Sequence, residues 1–194
     1  MLRVLAVLAA CALALGLVAG CGGGDSEPLP EAVPAPPQTA QLDWEETYGK
    51  PGERVLFGVR ELEVVPDGWR AEISITNDTR VQYAVGDPKA SLDRRFGLML
   101  FPTGDVRELE QRNRAGELPE IRAAEKYEPP LPLVLEPGRT WRGTISARGS
   151  LPAGLYARVV FGALVPVGEP PAGLPDVLVW ITDHAHRLEG GSAA

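Results

Sequence analysis

Trp69, Ala71, Ile73 and Ile75 alternate strictly with Arg70, Glu72, Ser74 and Thr76. Successive side chains of a strand project to opposite faces, so this octet has one face for a core and one for water. Pro66-Asp67-Gly68 before it is a turn signal, and residues 54–65 are therefore expected to return against 69–76 as a hairpin. In that returning strand Val55, Phe57 and Val59 share one parity, whereas Leu62 and Val64 share the other. A strand with both sets in one core needs an extra residue near Arg60-Glu61, a bulge or a crossing between sheets.

The pattern continues to the C-terminus. Val81, Tyr83 and Val85 alternate after an Asn77-Asp78 turn; Phe96 to Phe101 is a continuous apolar run, as expected of a central strand; Pro102-Thr103-Gly104-Asp105 turns it toward a strand at Val106–Glu110. Residues 111–130, charged and broken by Gly116, Pro119, Pro129 and Pro130, read as a long exposed connection. Glu136-Pro137-Gly138 then leads to a strand over 140–147, Pro152-Ala153-Gly154 to one over 155–164, and a proline-rich loop at 165–175 to a last strand over 176–183. In Gln41 to Gly52, Asp43 and Glu46 have capping-box spacing and Trp44 and Tyr48 lie four apart, so one helical turn is expected there. About eight short strands with turns every 8–12 residues specify an all-β fold, an antiparallel β-sandwich over residues 41–190.

Three stretches sharpen that expectation: Ile73-Ser74-Ile75-Thr76-Asn77-Asp78-Thr79, Leu135-Glu136-Pro137-Gly138 before the Trp141 strand, and Ala153-Gly154-Leu155-Tyr156. Over roughly residues 54–164 this layout resembles the bacterial immunoglobulin-like domains of the intracellular proteinase inhibitor type. The resemblance implies an immunoglobulin-like sandwich; a fold alone does not carry the inhibitor activity with it.

The N-terminus is of another kind. Met1-Leu2-Arg3 supplies a positive charge, Val4 to Gly20 is uninterruptedly small or apolar, and no basic cluster follows. Spanning a bilayer takes about 20 apolar residues, so residues 1–20 read as a secretory signal peptide. Leu17-Val18-Ala19-Gly20-Cys21 resembles the lipobox of bacterial lipoproteins. That implies cleavage before Cys21, a diacylglyceryl group on its sulfur and acylation of the new N-terminus, hence a chain lipid-anchored to the cell membrane on its extracytoplasmic side. Residues 21–40, with Gly22-Gly23-Gly24 and prolines at 28, 30, 34, 36 and 37, read as a flexible linker reaching up to roughly 60 Å. The two cysteines are Cys11, within the leader, and Cys21, so the domain is expected to fold without disulfides.

A net charge of −7 and 6% aromatic residues argue against a nucleic-acid partner, which would want a basic stripe or a stacking platform. No phosphate-binding glycine loop and no nucleophile elbow is present, so neither a cofactor nor an enzymatic activity is expected. The two histidines, His184 and His186, would share a face if the last strand ran through them, and could supply half of a metal site. The arginines at 94, 95, 107, 112 and 114 are interleaved with acids and read as solvated. Asn77-Asp78-Thr79 matches a glycosylation acceptor but reads as a turn. The expected function is a non-catalytic binding or scaffold domain for an envelope or surface protein. The alternative is metal handling or small-ligand binding through His184 and His186.

Overall fold

The computed structural model describes residues 33–85 and 96–190. The leader, Cys21, most of the proposed linker and Arg94-Arg95 lie outside them. Residues 32–194 are one compact unit, which holds every core contact given below. In chain order its first elements are β1 (Gln38–Lys50), β2 (Glu53–Val65), β3 (Gly68–Asp78), β4 (Tyr83–Val85), β5 (Gly97–Phe101) and α1 (Val106–Ala115). Then come β6 (Arg122–Ala123), β7 (Lys126–Glu128), β8 (Val134–Leu135), β9 (Thr140–Arg148), β10 (Tyr156–Pro166), β11 (Leu178–Ile181) and β12 (His186–Arg187).

The strands make two antiparallel sheets, an all-β sandwich. One sheet has the order β1-β2-β3-β9-β7. The other runs β6-β5-β10-β4-β8, with β11 and β12 both paired to β10. The β2–β3 hairpin forms as its turn signal requires, and its register slips by one residue between Val59 and Glu61. That bulge puts Val55, Phe57, Val59, Leu62 and Val64 all at 2% exposure or less. The parity break in the sequence is thus an inserted residue at Arg60. From the facing sheet, Phe161 meets Phe57 with ring centroids 4.9 Å apart, and Leu98, Val159 and Leu178 complete the layer.

Three stretches depart from expectation. Residues 43–48 are strand, not a helical turn, and β1 begins at Gln38, inside the stretch read as linker. Ala35 is already held by a backbone bond to the Leu151 carbonyl, 2.7 Å. Val106–Glu110 is helix, not strand. Residues 111–130 are largely exposed, as expected, but not without structure: they finish α1 and add β6 to one sheet and β7 to the other.

Asn77 shows why the Asn77-Asp78-Thr79 stretch exists. It is fully buried. Its Nδ2 donates to the Val81 and Leu135 carbonyls at 2.8 and 3.0 Å, and its Oδ1 accepts from the Thr79 amide and hydroxyl at 3.1 and 2.7 Å. The side chain ties the end of β3 to the approaches of β4 and to β8, which is the turn role expected of it.

Candidate functional site

Outward-facing residues of the second sheet are not left to water. Cross-strand partners share a face, and Met99 lies opposite Arg158 while Val160 lies opposite Ile181. Met99, Phe101 and Val160 form a second apolar cluster with Leu109 and Ile121, separate from the sandwich interior. Helix α1 covers this cluster. Gly104 allows the approach, since a Cβ there would lie 2.9 Å from the Tyr156 ring. Asp105 caps the helix, its Oδ1 accepting from the Arg107 amide at 2.9 Å. Gly116, at φ 71°, ends it, with the Glu117 amide bonded back to the Arg112 carbonyl. Both caps match the residue types that helix ends favour. Glu108 bonds to Thr103 and Arg112, and these two contacts hold its carboxyl below the usual carboxylate range.

Helix α1 and the segment after it stand clear of β11, leaving a groove of about 730 Å³. Its floor is Met99 of β5 with Val179 and Ile181 of β11, and Leu109, Leu118 and Ile121 form the wall. Tyr48 and Trp180 line it from the first sheet's edge and from β11. The volume lies in the range of small-molecule sites, about 300–1,000 Å³. Three carboxylate residues, Glu110, Glu120 and Asp183, also line it, and among the described residues no lysine or arginine does.

A polar knot flanks the groove where β1 meets the C-terminal chain. The Glu46 side chain is 6% exposed, yet four donors reach it. Its Oε2 accepts from Trp180 Nε1 at 2.6 Å and the Asp183 amide at 3.0 Å; its Oε1 accepts from the His184 amide at 3.0 Å and meets His184 Nδ1 at 2.8 Å. The His184 ring stacks on Trp44, centroids 5.4 Å apart. Eight residues earlier, Gln38 exchanges bonds in both directions with the Glu189 backbone. These side chains join β1, the edge of one sheet, to the segment that follows β11 in the other.

Arg158 is the second anchor. Fully buried beside Met99, it sits over the Phe101 ring, and its Nη2 donates to the Gly104 carbonyl at 2.9 Å. Its Nη1 donates to the carbonyls of Thr182, at 2.8 Å, and Asp183. Burial lowers its pKa, against the pull of Asp183 and Glu46. The Asp183 carboxyl is displaced upward, first by loss of solvent and then by the nearby Glu46 charge.

The structure separates the residues that the sequence put together. β11 stops at Ile181 and pairing resumes only at His186, so no single strand aligns His184 with His186. His184 is engaged with Glu46, whereas His186 lies opposite Ala157, and burial draws its pKa down. No group of three or more His, Cys, Asp or Glu among the described residues is placed to hold a metal ion. Arg112 and Arg114 pair along α1 with Glu108 and Glu110, at 2.8 and 3.6 Å. Trp141 is core, its Nε1 donating to the Pro130 carbonyl at 3.2 Å, and Tyr156 and Trp180 are half-buried. The groove itself went unread in the sequence. Its one local signal is Asp105-Val106-Arg107-Glu108 followed by Gly116, a helix start and stop with few apolar residues between. No protein-family model, no curated protein and no solved structure matches this chain.

Proposed function

We propose that the protein is a lipoprotein, anchored through Cys21 to the extracytoplasmic face of the cell membrane, whose immunoglobulin-like sandwich is a non-catalytic binding domain. The apolar run ending in Leu17-Val18-Ala19-Gly20-Cys21 supports the anchor; two or more acyl chains there would hold stably. The binding reading rests on one observation: the groove of about 730 Å³ between α1 and β11, floored by Met99, Val179 and Ile181. The polar groups beside it favour binding over catalysis. Both Glu46 oxygens are fully engaged by backbone and ring donors, and the Arg158 Nη groups by carbonyls, so they serve the fold and are not poised for proton transfer.

Two experiments test the two halves. Cys21→Ser should move the protein from the membrane to the soluble or unprocessed fraction and abolish the lipid mass on the N-terminal peptide; unchanged fractionation refutes the anchor. A thermal-shift screen of residues 32–194 against small ligands, repeated on Leu118→Asp, should give hits that stabilise the parent and not the variant. Hits indifferent to Leu118 would move the binding surface elsewhere.

A further inference from the structure

The groove's chemistry is asymmetric. Its floor and wall are apolar, while the charged ones among the described residues that line it, Glu110, Glu120 and Asp183, are all acidic and all exposed. Glu110 is shared with Arg114 at 3.6 Å, both side chains mostly in water, a pairing of little strength. Glu120 and Asp183 make no ion pair among the described residues. Arg158, opposite Met99 in the sheet, does not line the groove, and its Nη groups are bonded to carbonyls. We propose that the groove takes a cationic amphiphile: an apolar body of drug-like size, lying on Val179 and Ile181, with an amine or guanidinium at the end near Asp183. This rests on the reading of the groove as the domain's binding surface, and adds the charge of what it binds.

Complementarity runs in one direction. An anionic amphiphile would add a carboxylate to an acidic rim, and a neutral one would leave Glu120 and Asp183 without an ion-pair partner among the described residues. A cation beside Asp183 relieves the repulsion that Glu46 already exerts there. The cation's own contribution is modest at an exposed rim and weakens with salt, so the apolar floor carries most of the affinity and the carboxylates carry the selectivity.

The test uses residues 32–194 and three probes with one aromatic body: naphthylethylamine, naphthylethanol and naphthylacetate, titrated by calorimetry at neutral pH. The amine should bind about tenfold tighter than the alcohol, as expected of a few exposed charge contacts, with the acetate weakest; raised salt should narrow the gap. The Glu110→Gln/Glu120→Gln/Asp183→Asn variant replaces exposed side chains only. It should bring the amine down to the alcohol's affinity and leave the alcohol unchanged, while Leu118→Asp should weaken the alcohol as well. Equal affinities for amine and alcohol, or an amine preference that survives the triple variant, would overturn the proposal while leaving the groove a binding surface. Failure of all three probes, with saturable binding of a peptide bearing phenylalanine between lysines, would overturn it in favour of a protein partner. Failure of every probe and peptide would remove the groove from the proposed function as well.

Discussion

Glu46 Oε1 lies 2.8 Å from Nδ1 of His184, although 138 residues separate the two in the chain. The same carboxylate also receives Trp180 Nε1 and two backbone amides. Removing it strands part-buried donors, each costing up to the roughly 1–3 kcal/mol of a fully buried one. Glu46→Ala should therefore lower the unfolding free energy of residues 32–194 by about 2–4 kcal/mol in urea titration. Glu46→Gln should recover little, because its NH2 would face donors where an acceptor is needed. His184→Ala should cost under about 1 kcal/mol, since the His184 backbone amide keeps its bond and the ring is more than half exposed. Equal losses for Glu46→Ala and His184→Ala would show that the ring, not the amides, is what the carboxylate secures.

Asn77 makes four side-chain hydrogen bonds from a fully buried position. Asn77→Ala removes all four bonds, and although Thr79 Oγ1 still reaches the Val81 carbonyl at 3.2 Å, the bonds to the Leu135 carbonyl and from the Thr79 amide are lost, so a loss of about 2–4 kcal/mol is expected. Asn77→Asp keeps Oδ1 for Thr79 but turns a carboxylate toward the Val81 and Leu135 carbonyls, and should be no better. A loss below about 0.5 kcal/mol for Asn77→Ala, within the usual range for surface substitutions, would mean that the β3 end does not depend on this side chain.

The hairpin and its bulge were legible because burial dictates them. Leu62 and Val64 could reach the core with Phe57 only through an extra residue, and the structure places that residue at Arg60. Strand β1 was legible in principle. Ala40, Leu42, Trp44, Glu46 and Tyr48 alternate with more exposed positions, but a charged Glu46 on the inward side, and capping-box spacing to Asp43, masked the period of two. A glutamate is accepted there only because four donors wait for it, and those donors come from residues 180–184, which no local pattern connects to residue 46. Helix α1 was hidden differently: it offers Leu109 as its one buried residue, too little for a helical stripe, so only its caps announced it. The groove follows from the placement of that helix against β11, a long-range relation that local patterns do not carry.

Ile73 tests the alternation on which the fold reading stands. It lies mid-strand at 1% exposure, opposite Val59 on one side and Gly143 on the other. Ile73→Ala deletes three buried carbons and should cost about 2–5 kcal/mol. Ser74→Ala, one residue on and facing outward, should stay within about 0.5 kcal/mol. Similar losses at both positions in parallel urea titrations would put the sheet's faces in the wrong sense.

Acid and base titration should expose two groups of opposite sign near the C-terminal segment. Burial lowers the His186 pKa from its ordinary 6.5, with Glu189 pulling weakly the other way. The unfolded chain then binds a proton more readily than the folded one, so stability falls as pH drops from about 6.5 through the folded value. The raised Asp183 pKa works in reverse. Above the ordinary value of 3.8 the unfolded carboxyl gives up its proton first, so stability falls as pH rises from there through the folded value. At pH 7, well above 3.8, the Asp183 penalty is at work, whereas the His186 penalty is nearly absent. Asp183→Asn should therefore raise the melting temperature slightly at pH 7, with the gain vanishing below pH about 4. His186→Gln should flatten the fall in stability as pH drops below about 6.5 and leave the neutral value nearly unchanged. Melting temperatures of the two variants and the parent across that range decide it. A gain from Asp183→Asn that persists at low pH would assign it to packing, and a parent whose acid slope survives His186→Gln would place the titrating group elsewhere.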